Sequence, residues 1–250
     1  MNEKVAVLIT LCSRNQKWRE IGDIDLIKSF MPGFLNTKDD NVVYTLYIGY
    51  DDNDEFFINN LENLKQRLLL SDKIIKLPSQ HTNSNPCEAW NILARKAAED
   101  GHEYFYQCGS DIQHITKGWT KYFINILKRN NNIGIAGGVD KMFWLDRVKR
   151  DLVGIIENGF FHKTHLNIIG GVFNKQLKNW YSDDYISGIY YNCGRCFIQP
   201  TILYRNTNRV GQTAGEDRYK PDMEIKDLYK NLIDLDTELI KKYIKNNYQN

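Results

Sequence analysis

The chain has 250 residues and a formal charge of +2, with 42% hydrophobic and 26% charged residues. This length allows a large hydrophobic core, and the near-neutral charge gives no overall attraction to nucleic acid or to an anionic membrane. The longest apolar run near the start, residues 5–11, is too short to cross a bilayer, and no signal-peptide cleavage pattern follows it. An odd number of cysteines and the lack of an Asn-x-Ser/Thr acceptor favour a reducing, cytoplasmic location.

Strands alternate with helices in the first half of the chain. Short runs rich in apolar, β-branched and aromatic residues predict strands at residues 5–10, 42–50, 73–77 and 104–107. Helices are predicted at residues 22–31, with Asp23 available as cap, at about 55–70, and at 86–98, where Asn85 and Pro86 make a favourable start. Residues 79–85 are predicted to be a loop. The alternation predicts an α/β fold with a largely parallel sheet flanked by helices.

The second half is less regular. Strands are predicted at residues 133–139 and 196–204, a short helix opened by Ser182 at 181–190, and either a strand or a tight turn at 166–173. Residues 140–160 fit no single element. The tail, residues 227–248, is predicted to be an amphipathic helix because its apolar residues recur at helical spacing. They are Leu228, Leu232, Leu235, Leu239 and Tyr243.

Polar residues follow three of the predicted strands. Residues 12–15 come after the first strand, Asp51, Asp52 and Asp54 after the second, and Asp111 shortly after the fourth. Ligands of open α/β sheets bind outside the carboxyl ends of the strands. We therefore expect these residues to meet at one edge of the sheet. For Asp111 alone, a turn-forming or capping role is the alternative.

The order of these pieces resembles the GT-A class of glycosyltransferases, of a family-2-like type, which bind nucleotide sugars on a Rossmann-like sheet. The resemblance implies one domain over residues 1–250, with a nucleotide-binding half at about 1–125, an acceptor half at about 126–226 and a C-terminal helix at 227–248. It also implies a set of contacts to the nucleotide sugar. These residues are Thr10, Cys12, Arg14, Asp51, Asp52, Asn91 and Ser110.

The metal motif of that class is an Asp-x-Asp after a central strand, and Gly109-Ser110-Asp111 occupies its place. The first aspartate is replaced by glycine, so the resemblance leaves Asp111 as the metal residue. A hard cation, Mn²⁺ or Mg²⁺, is held by as few as one or two carboxylates when phosphate oxygens and water complete its shell. We therefore expect cation binding to depend on the nucleotide diphosphate.

A second marker is the acid pair in Asn179-Trp-Tyr-Ser-Asp-Asp-Tyr-Ile. Inverting members of the class carry such a pair at the start of a helix, where one carboxylate deprotonates the acceptor hydroxyl. The resemblance implies Asp184 as this base, with Asp183 as the second choice, and Trp180 and Tyr181 as acceptor contacts. The alternatives are an acid pair that stabilises a helix N-terminus and aromatic rings that belong to the core.

The resemblance also implies roles for two further segments. Residues 160–171 resemble the acceptor-side loop of such enzymes, with His165 contacting the acceptor or the donor diphosphate. Residues 211–219 resemble a late loop that folds over the diphosphate, with Arg218 neutralising the leaving group. A plain surface loop is the alternative for the latter. The class often adds a histidine metal ligand near the C-terminus, and this sequence has no histidine after position 165.

The resemblance thus implies transfer of a sugar from a nucleoside diphosphate, with UDP favoured, to a hydroxyl of a glycan, a protein or a small molecule. Neither a nucleic-acid partner nor a membrane span is expected. A nucleotidyltransferase is disfavoured because residues 11–15 lack a glycine-rich loop. Two competing hypotheses are a non-catalytic module that binds a sugar nucleotide and an interaction protein without a ligand. The residue types of His162, His165, Cys193 and Cys196 also suit a zinc site.

Overall fold

The computed structural model describes residues 2–142, 144, 154–207 and 225–248. Its strands are β1 (Glu3–Leu11), β2 (Val42–Asp51), β3 (Lys73–Leu77), β4 (Tyr104–Cys108), β5 (Ile112–His114), β6 (Ile135–Asp140), β7 (Gly159–His162) and β8 (Cys196–Asn206). Its α-helices are α1 (Met31–Thr37), α2 (Glu55–Asn59), α3 (Leu61–Lys65), α4 (Ser79–Thr82), α5 (Pro86–Glu99), α6 (Trp119–Arg129), α7 (Lys163–Ile169), α8 (Ser182–Tyr191) and α9 (Ile225–Tyr248).

The strands form one mixed sheet in the order β3-β2-β1-β4-β7-β6-β8-β5. The first four strands of this order are parallel, and β6 is parallel to β8. Strand β7 is antiparallel to both β4 and β6, and β5 is antiparallel to β8. The predicted α/β class with a mostly parallel, helix-flanked sheet is confirmed.

Strand β1 explains why the sheet is covered on both faces. Its residues 5–9 are all fully buried. Side chains alternate between the faces of a strand, so Val5 and Val7 join one hydrophobic cluster while Ala6 and Leu8 join another. A continuous apolar run is typical of a parallel strand with helices on both sides.

Two predicted helices are interrupted. Residues 22–31 form a 3₁₀ turn (Ile21–Asp23) and a π-helical turn (Leu26–Phe30) ahead of α1. Residues 55–70 divide into α2 and α3 at Asn60, whose side-chain Nδ2 donates to the carbonyl of Phe56 at 2.9 Å. Asparagine side chains compete with helical backbone bonds in this way.

Helix α5 begins and ends as predicted. Asn85 caps it by accepting a hydrogen bond from the backbone N–H of Glu88 at 3.2 Å, and Pro86 is at the first turn. Gly101, just beyond the C-terminal end, has a φ of +85°, which glycine adopts without steric cost. The preceding loop prediction was partly wrong, because residues 79–82 form the short helix α4.

The expected acceptor-side loop at residues 160–171 is instead regular structure. Strand β7 is buried along its whole length, and α7 follows it directly. The ring Nδ1 of His162 accepts a hydrogen bond from the backbone N–H of Thr164 and so caps α7, which ends at Gly170 with a φ of +87°. The prediction of a strand or a tight turn at 166–173 was therefore wrong for residues 166–169, which are helical.

The predicted C-terminal helix is present as α9 and packs on α7 and α8. Its buried face differs from the predicted stripe, since Leu235 is 64% exposed and Asp236 only 6%. The buried carboxylate of Asp236 accepts hydrogen bonds from neighbouring elements, which compensates its loss of water. Among the described residues, no helix is long and apolar enough to cross a membrane.

Candidate active-site cleft

The carboxyl ends of β1, β2 and β4 meet at one edge of the sheet, as predicted. The backbone N–H and the hydroxyl of Ser13, after β1, donate to the carboxylate of Asp54, after β2, at 2.8 and 2.7 Å. Asp54 also caps α2. These bonds fix the first loop against the second, so the groups that follow both strands keep a defined arrangement.

A cavity of about 270 Å³ opens at this edge. It is lined by residues from the strand ends and from the start of α8. Those anticipated from the sequence are Thr10, Cys12, Ser110, Asp111 and Asp183. Those that the sequence interpretation missed are Trp18, Trp90, Gln107, Glu157, Asn158, Asn179, Ser182 and Asn206. The cavity thus joins the predicted metal residue to one of the two predicted bases.

Asp111 lies in the turn between β4 and β5. Its backbone carbonyl accepts hydrogen bonds from the N–H and the hydroxyl of Thr207, at 2.9 and 3.1 Å. A Cβ atom at Gly109 would approach Oδ1 of Asp111 to 2.5 Å. A side chain at position 109 would therefore need only a shift of the flexible end of the Asp111 side chain.

Asp183 lines the cavity, whereas its neighbour Asp184 does not. Both acids lie in the first turn of α8, after Tyr181, which has a left-handed φ of 64°. Burial raises the pKa of the Tyr229 hydroxyl, and the nearby negative charge of Asp184 raises it further. Asp183 acts instead on buried Cys87, whose thiol pKa is raised mainly by burial and further by this carboxylate. Of the two acids, Asp183 is therefore the one that shares this cavity with Asp111.

The two predicted acceptor aromatics do not line this cavity. Trp180 is partly buried and packs against the hydrophobic cluster beneath α8. Tyr181 stacks on Tyr229 of α9, with ring centroids 4.4 Å apart and planes within 3°. Among the described residues, the aromatic side chains that line the cavity are those of Trp18 and Trp90.

Two other predicted contact residues are buried in the core. Asn91 is 3% exposed, and its amide accepts from the N–H of Phe173 at 2.9 Å and donates to the carbonyl of the same residue at 3.0 Å. His165 is 1% exposed, with its ring nitrogens 2.7 Å from the hydroxyl of Tyr190 and 2.9 Å from the carbonyl of Val172. Neither residue lines the cavity, and both side chains make hydrogen bonds within the core.

Arg14 and Asp51 line two adjoining cavities of about 30 and 410 Å³. Arg14 donates to the hydroxyl of Ser84 at 2.8 Å and also bonds Asn83. Asp51 accepts from the hydroxyl of Thr82 at 2.5 Å. These contacts tie the loops after β1, β2 and β3 together beside the main cavity.

Asp52 lies outside these three cavities. Its carboxylate accepts from the backbone N–H of Ser79, and hydrogen bonds from that serine lower its pKa. The predicted diphosphate contact Arg218, and the loop around it, lie outside the described residues.

The cavity is acidic over its described lining. Three carboxylates face it, from Asp111, Glu157 and Asp183, and no lysine or arginine is among the described residues that line it. The oxygen-rich lining is the type of environment that Mn²⁺ and Mg²⁺ prefer.

No group of three or more histidine, cysteine, aspartate or glutamate side chains within the described parts of the chain is arranged to hold a metal ion. This finding speaks against the zinc interpretation. His162 and His165 are buried and hydrogen-bonded within the core, where burial lowers the pKa of each to about 4.

Comparison with known proteins reveals similarity at the level of structure. No protein-family model and no curated protein matches the sequence. A crystal structure of S. aureus TarS 1–349 has a TM-score of 0.54 at 16% identity, covering 93% of this chain and 65% of that one. A second TarS structure gives 0.53 at 12% identity, covering 80% and 36%. The likeness is one of fold. TarS is a glycosyltransferase of the GT-A class. This chain has the same curled α/β architecture. It spans less than two thirds of the length of either TarS chain.

Proposed function

We propose that this protein is a glycosyltransferase that moves a sugar from a nucleoside diphosphate to a hydroxyl acceptor. The observation that carries the proposal is the single cavity lined by both Asp111 and Asp183. One carboxylate suits a metal-diphosphate site and the other suits a general base, and transfer needs the two functions in one enclosure. The fold shared with TarS supports the same conclusion.

The donor nucleotide is assigned to the loops after β1 and β2. Thr10 and Cys12 border the main cavity and the smallest adjoining one, and Arg14 and Asp51 line the adjoining cavities. This arrangement lets the base and ribose occupy the adjoining space while the diphosphate and sugar enter the main cavity. UDP is the favoured nucleotide.

Asp111 would hold Mn²⁺ or Mg²⁺ together with diphosphate oxygens. The fit rests on its carboxylate in a cavity that is lined by several carboxylate, amide and hydroxyl oxygens. When bound, the cation supplies positive charge that stabilises the departing diphosphate.

Asp183 acts as the base in this proposal. Its carboxylate takes the proton of the acceptor hydroxyl, and the acceptor oxygen forms a bond to the anomeric carbon of the donor sugar. The bond from that carbon to the diphosphate oxygen breaks, and its electron pair leaves with the nucleoside diphosphate. Direct displacement inverts the anomeric configuration. Trp18 and Trp90 flank the cavity and offer apolar faces for the sugar rings.

The test is a donor assay on the purified chain. Incubation with a panel of UDP-, GDP-, CDP- and dTDP-sugars and Mn²⁺ should release the nucleoside diphosphate from at least one donor, as measured by chromatography. NMR of the transfer product should show an inverted anomeric configuration. A retained configuration would contradict the role of Asp183, and the absence of turnover with every donor would contradict the enzyme assignment.

A non-catalytic sugar-nucleotide-binding module is the second candidate. The glycine at position 109 favours it, because the metal motif lacks one carboxylate. The same assay separates the two, since a binding module would bind a donor in a thermal-shift measurement without hydrolysing or transferring it.

A further inference from the structure

We propose that Asp54 is a positioning residue for the nucleotide. Its carboxylate holds the loop after β1, residues 12–16, in the conformation that receives the donor. This inference rests on the proposed function, which assigns the nucleotide to the loops after β1 and β2. Asp54 is the last of three acids that follow β2, and only the other two, Asp51 and Asp52, were expected to contact the nucleotide.

The carboxylate of Asp54 joins two neighbouring turns. The backbone N–H of Gln16 donates to the carbonyl of Ser13 at 3.0 Å, which closes a turn soon after β1. The backbone N–H of Asp54 donates to the carbonyl of Asp51 at 3.0 Å, which closes a turn at the end of β2. Between the turns, the N–H and the hydroxyl of Ser13 donate to the two different oxygens of Asp54, at 2.8 and 2.7 Å. Hydrogen bonds to a charged group are stronger than those between neutral groups, so the two turns are firmly connected.

The loop after β1 needs this support to keep its conformation. The register between β1 and β2 ends at Leu11 and Tyr50, directly before the loop. Within the loop, Asn15 has a left-handed φ of 61°, which residues with a side chain adopt only rarely. Beyond the last strand pair, the bonds between Ser13 and Asp54 continue the connection between the two chain segments. Their removal should let the loop populate other conformations.

Both turns line the cavity of about 410 Å³ that adjoins the main cleft. Ser13 and Arg14 border it from the first turn, and Asp51 and Asp54 border it from the second. A nucleotide in this cavity would contact groups whose spacing is set by the bonds between Ser13 and Asp54. A site that is already held in its bound conformation binds more tightly, because the ligand does not have to order it.

The negative charge of Asp54 makes a positioning role distinguishable from a direct electrostatic one. Its two oxygens accept three hydrogen bonds, two from Ser13 and one from the backbone N–H of Phe57 at 3.4 Å. A carboxylate has about four acceptor positions, so most of its capacity is used within the protein. A negative charge repels a diphosphate, so removing it would strengthen nucleotide binding if the charge acted directly. A positioning role predicts the opposite result, a weaker affinity.

The test measures nucleotide affinity by isothermal titration calorimetry of the full chain with UDP, GDP, CDP or dTDP and Mn²⁺. Asp54→Ser keeps a residue that is favourable at the start of α2 but removes the two-oxygen acceptor for Ser13. For a nucleotide that the wild type binds, this variant should raise the Kd by at least about fivefold. Ser13→Ala loses one of the two bonds, so its Kd should lie between those of the wild type and Asp54→Ser. Added to Asp54→Ser, it should change the Kd by less than about twofold, because the two residues act as a pair.

Leu64→Val is the control for a general loss of stability. Leu64 is fully buried in the nearby helix α3 and lines none of the three cavities. Its replacement should lower the free energy of unfolding and leave the Kd within about twofold of the wild type. In the transfer assay, Asp54→Ser should raise the KM for the donor and keep kcat within about threefold, whereas partial unfolding lowers kcat and leaves KM unchanged.

Three results would overturn the positioning role and leave the proposed function standing. They are a rise in Kd of less than about fivefold in Asp54→Ser, an equal rise in Leu64→Val, and a lower kcat with an unchanged KM in Asp54→Ser. A tighter affinity in Asp54→Ser would show that the charge acts directly and would likewise overturn it. A wild type that binds none of the four nucleotides would overturn both the positioning role and the proposed function.

Discussion

The hydroxyl of Tyr185 in α8 donates a 2.6 Å hydrogen bond to Oδ2 of Asp236 in α9, and both residues are buried. The side chain of Asn174 donates to the same oxygen at 2.9 Å. A buried carboxylate thus fastens the C-terminal helix to the helix whose first turn carries Asp183. The position of the candidate base depends in part on a contact made about 50 residues later in the chain.

Replacing Asp236 by alanine should lower the free energy of unfolding by about 3 kcal/mol, because the buried Tyr185 hydroxyl and the half-buried Asn174 amide lose their acceptor. Asp234→Ala is the control, since Asp234 lies on the exposed side of the same helix. It should change stability by less than about 0.5 kcal/mol. Urea unfolding followed by circular dichroism measures both variants, and similar losses in the two would contradict the role given to the buried carboxylate.

A second effect on stability is expected when Asn91 is replaced. In Asn91→Asp, the side chain can still accept from the N–H of Phe173, but a carboxylate cannot donate to the carbonyl of that residue. We expect a loss of about 2 kcal/mol near neutral pH, because a charge is also buried. Asn59→Asp, at an exposed position of α2, should be nearly neutral. If Asn91 instead served the nucleotide, its variant would keep full stability and lose only nucleotide affinity.

The buried His114 predicts a dependence of stability on pH. Burial lowers its pKa to about 3, so it is neutral in the folded protein, whereas an unfolded histidine has a pKa of about 6.5. The unfolded state then binds more protons below about pH 6.5, and stability falls as the pH decreases toward 3. The variant His114→Phe retains an aromatic ring beside Trp119. Between pH 7.5 and pH 5 it should lose about 2 kcal/mol less stability than the wild type.

Chemical unfolding of the wild type and His114→Phe at both pH values makes the comparison. The control is His81→Gln, since His81 is an exposed histidine. If His114→Phe lost as much stability on acidification as the wild type, His114 would have to be protonated in the folded state.

The two acids of α8 should differ in activity. Asp183→Asn should lower the transfer rate by about 100-fold or more, the usual worth of a general base, with little change in nucleotide affinity. Asp184→Asn should lower the rate by less than about fivefold, because Asp184 does not line the cavity. The transfer assay compares them under identical conditions. The opposite order of losses would return the base to Asp184.

The local parts of the fold were readable from the sequence. The apolar run of β1, the Asn85-Pro86 start of α5 and the Ser182 start of α8 are signals within a few residues, and the structure confirms all three. The strand-end acids could likewise be placed at one edge, because parallel strands share the direction of their carboxyl ends.

The missed features depend on contacts between distant residues. The burial of Asp236 is set by Tyr185 and Asn174, which helical spacing in α9 cannot reveal. Glu157 comes from a segment with no readable pattern, and only the pairing of β7 with β4 brings it to the cleft. The choice between Asp183 and Asp184 likewise needed the orientation of the first turn of α8.

The most direct test of the proposed function is a measurement of nucleotide binding with and without the cation, in the wild type and in a variant of Asp111. Thermal unfolding of wild-type and Asp111→Asn protein would be recorded with UDP, GDP, CDP or dTDP, each with Mn²⁺ or with EDTA. A ligand that binds the folded state raises the unfolding temperature. We predict that at least one nucleotide does so for the wild type with Mn²⁺, and that the shift disappears in EDTA and in the variant. No shift with any nucleotide, or an equal shift in EDTA or in Asp111→Asn, would contradict the account.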